Sequence, residues 1–219
     1  MSTIVAVMDR AGFAANTDNL VFVDPVLTRL LWVPRDLWCP VAGDRINAAY
    51  RTSGADGLRA ALSEHGLDAA HSLVLSRTAT EAALSNVSVL VPVPVPMAFG
   101  YPLTPTSRIE DGRKQIAFEP PAAVLRGERV HQWVGARGGS DLHRIERQKI
   151  FVRRLLEQAF AFQEVLADAD AYRCSGAPAL EELSRVRSSW KFETLGPLEP
   201  VTIDGKQVLV RREPGGASH

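Results

Sequence analysis

Arg35 and Asp36 follow Val33-Pro34 at the end of an apolar run. That order puts a cation and a carboxylate at a strand's exit, where the loops of α/β folds build their sites. Asp9 and Asp18 flank a short loop after the first apolar run. Two hard oxygen ligands are the minimum for a magnesium ion bound mainly to phosphate, although loop capping explains the same residues. A third group runs from Arg137 through Gly138-Gly139-Ser140 to Asp141, Arg144, Arg147 and Gln148.

On a helix starting near Asp141, residues turn by about 100° each, so Asp141, Arg144 and Gln148 lie within roughly 60° of one another, with Arg147 about 60° further round. Arginines beside a helix N-terminus oppose the helix dipole but suit a phosphate. The competing reading is a solvated face with Asp141 as N-cap and Glu146 or Glu157 pairing the arginines. A fourth segment, Asp44-Arg45-Ile46-Asn47-Ala48-Ala49-Tyr50, carries Arg45 and Asn47 and has no chemical reading from its residues alone.

These residues sit in a chain of 219, long enough to bury a core without disulfide or metal staples, and the sequence predicts a single domain. With 46% hydrophobic and 23% charged residues, the composition excludes disordered, collagenous and membrane-spanning classes. Net charge is +0, which removes the global positive field that non-specific nucleic-acid binding needs, so no nucleic-acid partner is expected and any anion site must be local. Only Lys114, Lys149, Lys191 and Lys206 among the basic residues are not arginine. Arginine is the side chain for bidentate capture of phosphate, although a GC-rich genome yields the same bias. Cys39 and Cys174 stand far apart without a CxxC spacing, so neither zinc nor a redox motif is indicated, and a disulfide between them stays open.

The elements that must position the candidates read as follows. Ile4 to Met8, Asn19 to Asp24 and Arg29 to Val33 are strands, the last two joined by a tight reversal at Pro25. Asp56 to His65 is a helix stopped by Gly66, Ser72 to Leu75 a strand, and Thr78 to Ser85 a helix. Val87 to Val95 alternates valine with proline, as an edge strand or polyproline segment does. Gln115 to Phe118 is a short strand. The spine is a long helix from Asp141 to about Ala169, and Val201 to Arg211 folds as a hairpin over Asp204-Gly205. Together they predict an α/β/α sandwich with a central mixed β-sheet and one long helix after residue 140.

The segments Pro34-Arg35-Asp36, Arg45-Ile-Asn-Ala-Ala-Tyr50 and Arg137 to Gln148, in this order, resemble the LytR-CpsA-Psr family of cell-envelope proteins. The family pattern has PRD, KINAAY and a distal R.R…D..R..RQ on a long helix. Val93-Pro94, Met97, Ile116 and Leu125-Arg-Gly-Glu128 fit its intervening region, so the likeness runs from about residue 4 to 160, with a C-terminal helix and hairpin over about 161–212.

The resemblance implies an α/β sandwich with an apolar groove for a polyprenyl chain, in a magnesium-dependent phosphotransferase. Such enzymes move a glycopolymer from a polyprenyl pyrophosphate carrier to peptidoglycan or another glycan acceptor, and many cleave the pyrophosphate. Carried over by position, Arg35, Asp36, Arg137, Arg144 and Arg147 would be catalytic. Arg45, Asn47, Asp141 and Gln148 would bind substrate, and Asp9 and Asp18 would hold magnesium. Arg45 replaces the family lysine, and Gly135 stands where the pattern has the first arginine of its pair. The family is extracytoplasmic and membrane-anchored, whereas this sequence shows no signal or anchor. A soluble, cytoplasmic or truncated form that meets the membrane only through its lipid substrate is therefore expected. The alternative, which Gly135 favours, is a binder of prenyl phosphate or pyrophosphate that does not cleave it.

Overall fold

A computed structural model describes residues 1–8, 13–14, 16–77, 88–104, 107, 109–136, 141–157, 172–175, 183, 185–186 and 189–212. The chain divides into two compact units, Met1–Leu75 with Arg173–His219, and Ser76–Tyr172. Each has its own apolar core.

The first unit is built on a six-stranded mixed sheet in the order β11-β6-β1-β2-β3-β12. Its strands are β1 (Thr3–Met8), β2 (Thr17–Asp24), β3 (Arg29–Val33), β6 (His71–Leu75), β11 (Tyr172–Cys174) and β12 (Lys191–Thr194). β1, β2 and β3 form an antiparallel meander, while β6 runs parallel to β1 and β12 parallel to β3. The reversal after β2 is an Asx turn, in which Asp24 Oδ1 accepts from the N–H groups of Val26 and Leu27 at 3.1 Å each. One sheet face carries Ile4, Ala6, Met8, Leu20, Phe22, Leu31 and Val33 into the core. Leu58, Ala61 and Leu62 of α1 (Ile46–Ser63) meet them there. Burial of each large side chain of this kind contributes about 1.5–3 kcal/mol. Trp32, on the opposite face, is 1% exposed and rests against Phe192.

Helix α1 begins ten residues before the expected Asp56. The segment after Arg45 is helical, and the helix breaks at Ser53-Gly54, where Gly54 takes φ +60°. A local signal was present only for the second half, because Ser53 and Gly54 interrupt the apolar period. Gly57 closes the kink: a Cβ there would lie 2.4 Å from Ser53 Cβ.

Two short antiparallel pairs complete the first unit: β4 (Trp38–Cys39) with β5 (Asp44–Arg45), and the hairpin of β13 (Leu198–Ile203) with β14 (Lys206–Arg211). Asp204 and Gly205 both have positive φ, the geometry of a two-residue hairpin turn. Cys39 and Cys174 do not form a disulfide, and Cys39 is buried.

The second unit contains two antiparallel ribbons, β7 (Val89–Pro92) with β10 (Ala122–Leu125), and β8 (Met97–Pro102) with β9 (Arg113–Phe118). Helices α2 (Glu128–Gly135) and α3 (Asp141–Glu157) belong to the same unit. The Val-Pro alternation resolves as a strand whose valines, Val89 and Val91, face the core while Leu90 and Pro92 face outward. A two-stranded ribbon tolerates proline there because its outer edge needs no partner. Phe118 and Trp133 pack edge to face at 5.0 Å between centroids in the middle of this core. The helix expected over 78–85 and the continuation of α3 beyond 157 lie outside the described residues. No helix among the described residues is long and apolar enough to cross a membrane.

Candidate functional site

Pro34 to Leu37 forms a tight turn, closed by the Leu37 N–H donating to the Pro34 carbonyl at 3.0 Å. Arg35 and Asp36 occupy its two central positions. The turn is fixed to the start of α1, since Ile46 and Asn47 donate their N–H groups to the carbonyls of Leu37 (2.7 Å) and Arg35 (3.2 Å). Arg45, the N-cap, makes no side-chain cap, so the turn supplies the acceptors that the helix's first N–H groups need. This local arrangement explains why the Pro-Arg-Asp and Arg-Ile-Asn segments come together. It also buries Leu37 completely and Asn47 to 9% exposure.

The Asp36 carboxylate lies between two guanidiniums. Its Oδ2 is 3.7 Å from Arg35 Nε and its Oδ1 is 3.5 Å from Arg45 Nη1. The side chains of Arg35 and Asp36 are mostly buried, at 16% and 13% exposure, which strengthens this electrostatics relative to a surface pair. Arg45 faces more than Asp36. Its Nε and Nη2 donate to the Gln207 carbonyl at 3.2 and 2.8 Å. The expectation that Arg45 binds substrate therefore meets a guanidinium whose three nitrogens each face a protein oxygen. Asp44, beside it, pairs with Lys206 at 3.0 Å. Burial opposes the charge on Asp44, but the bonds from Lys206 and from the Arg45 N–H outweigh it and hold the carboxyl below its ordinary value.

In the second unit, Arg144, Arg147 and Gln148 of α3 are buried, at 4%, 5% and 2% exposure. The reading of this helix edge as a solvated face is thereby overturned. His143, between them in sequence, is exposed. Arg147 donates from Nε to the Trp133 carbonyl at 3.1 Å and from Nη2 to the Ala136 carbonyl at 2.5 Å. Gln148 Nε2 donates to the Val134 carbonyl at 3.0 Å. These are the carbonyls that end α2 and have no partner within that helix. Arg147 also lies 4.6 Å from the Phe99 ring centroid. Burial, and next the charge of Arg144, pulls the Arg147 guanidinium below its ordinary value. Arg147 and Gln148 thus cap the end of α2. Arg144 stands beside them as a second buried cation.

Asp9 and Arg137 lie outside the described residues. Asp141 is the first residue of α3. Asp18 lies in β2 at a bulge: Val7 pairs with Asn19 and Met8 with Thr17, leaving Asp18 as the additional residue. Bulges of this kind interrupt alternation next to functional sites. Around it, Asn16 Oδ1, Thr17 Oγ1 and Asn19 Oδ1 are buried with no hydrogen-bond partner among the described residues. Neutral amide and hydroxyl oxygens of this kind are among the hard donors that magnesium accepts. Sequence reasoning missed these three, which carry no spacing signal, as it missed Phe99 beside Arg147.

Over residues 16–175 the sequence matches the LytR_cpsA_psr family. The chain belongs to the LytR-CpsA-Psr family. No curated protein matches it. Solved structures share the LytR-CpsA-Psr fold at low identity. TagV of B. subtilis aligns with a TM-score of 0.66 at 16% identity, covering 96% of this chain and 91% of that one. TagT bound to LI-WTA aligns at 0.68 and 16% identity, covering 96% and 83%. Protein gbs0355 of Streptococcus agalactiae aligns at 0.70 and 15%, covering 96% and 82%.

Proposed function

We propose that this LytR-CpsA-Psr protein is a magnesium-dependent phosphotransferase that moves a glycopolymer from a polyprenyl pyrophosphate carrier to a cell-wall acceptor, cleaving the pyrophosphate linkage. The family membership and the likeness to TagT, which is seen bound to LI-WTA, support a glycopolymer-linked substrate. The observation that carries the reading is the Arg35-Asp36 turn, a mostly buried guanidinium oriented by a carboxylate at the exit of the central sheet. A cation held there stabilises the charge that grows on the leaving phosphate as its bridging bond breaks. Asn47 orients substrate oxygens, and in the second unit the resemblance gives Arg137 and Arg144 a phosphate contact and Asp141 a substrate contact. Arg147 and Gln148 hold the end of α2 in place. Asp9 and Asp18 would hold magnesium, which would supply neutralising charge to the pyrophosphate.

The test is phosphate release from a short-chain prenyl pyrophosphate, with and without magnesium. Metal-dependent release that Arg35→Ala abolishes, with the fold retained, supports the assignment. Undiminished release by Arg35→Ala overturns it.

Gly135 favours a second reading, a protein that binds the prenyl pyrophosphate without cleaving it. In that case the ligand binds, Arg35→Ala weakens binding, and no phosphate appears.

A further inference from the structure

We propose that the C-terminal hairpin β13–β14 is a clamp on the Pro34–Leu37 turn, and that Arg45 is the positioning residue through which it fixes Asp36 and, through Asp36, the Arg35 guanidinium. This rests on the role given to Arg35 above, but the hairpin itself lies beyond residues 16–175, the part of the chain that matches the family.

Asp36 is held twice. Its carbonyl accepts from the Leu209 N–H of β14 at 2.9 Å, and Leu37 pairs with Leu209 as a parallel bridge. Its carboxylate is held through Arg45, whose Nε and Nη2 take the Gln207 carbonyl while Nη1 faces Asp36 Oδ1. Lys206 pairs with Asp44, the residue before Arg45, and Arg211 Nη1 donates to the His65 carbonyl at 2.7 Å. Val208, between these contacts, is 2% exposed. Lys206, Gln207 and Leu209 of β14 thus hold the region around the turn, while Val208 is buried between them.

The side-chain chemistry is specific. A guanidinium forks two N–H groups onto one carbonyl and still presents a third nitrogen to a carboxylate. An ammonium is a point charge without that planar geometry. Lysine is nonetheless a competent phosphate ligand. The two roles for residue 45 therefore predict opposite outcomes for one conservative change.

The experiment compares the native chain with Arg45→Lys, Arg45→Ala, Lys206→Ala and Arg35→Ala. Each is assayed for kcat and KM with a short-chain prenyl pyrophosphate, for its thermal midpoint, and for amide hydrogen exchange at residues 35–47. If the native chain binds but does not turn over, affinity replaces kcat. The clamp predicts that Arg45→Lys loses as much kcat as Arg45→Ala, about tenfold, with KM within about twofold. Lys206→Ala should fall in the same direction by less. Exchange at Leu37 and Asn47 should speed up in all three while the β1–β2 amides stay protected. If Arg45→Lys keeps native kcat while Arg35→Ala abolishes it, the clamp is wrong and the function stands. A lowered thermal midpoint with unchanged kcat in Arg45→Lys reduces the contact to ordinary stability and likewise overturns the clamp. Full turnover in Arg35→Ala overturns the function and the clamp together.

Discussion

Trp133 and Arg147 are bonded in both directions: Arg147 Nε donates to the Trp133 carbonyl at 3.1 Å, and Trp133 Nε1 donates to the Arg147 carbonyl at 2.9 Å. The indole and the guanidinium each satisfy the other's main chain, inside a core where an unmet polar group is costly. The pair ties the end of α2 to the second turn of α3.

Removing one partner should therefore act on stability before chemistry. Trp133→Phe keeps most of the packing but removes the indole's bond to the Arg147 carbonyl, at a cost of about 1 kcal/mol. Arg147→Ala removes two charge-assisted bonds and the Phe99 contact, and should cost about 3 kcal/mol or more. Urea denaturation followed by circular dichroism measures both. A loss below about 0.5 kcal/mol in Arg147→Ala would show that the cap is dispensable and return this arginine to the phosphate role.

His131 gives the fold a pH dependence. Burial, with the charge of Arg77 second, pulls its imidazole from 6.5 down to about 3. The folded state holds the ring neutral. Between those values the unfolded chain carries a proton that the folded chain lacks, so stability is full above about 6.5 and declines as pH falls toward 3, by at most about 1.4 kcal/mol per pH unit. Urea midpoints measured from pH 7 to 4 should drop steeply in the native chain and less in His131→Gln. Parallel slopes in the two proteins would contradict the assignment.

Gly135 has room for a side chain. A Cβ built there meets nothing within 4 Å, and its backbone is not left-handed. Gly135→Arg should therefore fold normally and raise affinity for a prenyl pyrophosphate about tenfold, the worth of one charge-assisted hydrogen bond. Calorimetric titration reads it directly. Unchanged affinity would mean that the end of α2 does not face the ligand.

Chelation by EDTA should stop phosphate release, and readdition of magnesium should restore it. Asp18→Asn should weaken magnesium binding at least tenfold when titrated in the absence of substrate, because it removes a full negative charge from a hard oxygen site. Equal magnesium affinity in Asp18→Asn and the native chain would remove Asp18 from the ligand set.

Strand positions were legible because alternation is a local property. Arg29 to Val33 emerged as read, and Asp204-Gly205 marks its hairpin through turn chemistry alone. The start of α1 was not legible, since Ile46 to Tyr50 gains its helix-starting acceptors from the carbonyls of Arg35 and Leu37. No window of sequence around Arg45 contains them.

The sequence by itself determined the family, the mixed α/β class and the set of arginines and carboxylates from which a phosphate site can be made. Side-chain type and order along the chain suffice for that. Only the tertiary structure decided how those side chains are used. Arg45 turned to Gln207 across 162 positions of sequence, and Arg147 and Gln148 to the end of α2. A guanidinium binds a phosphate and a backbone carbonyl with the same donors, so its role is settled by which acceptor the fold leaves beside it.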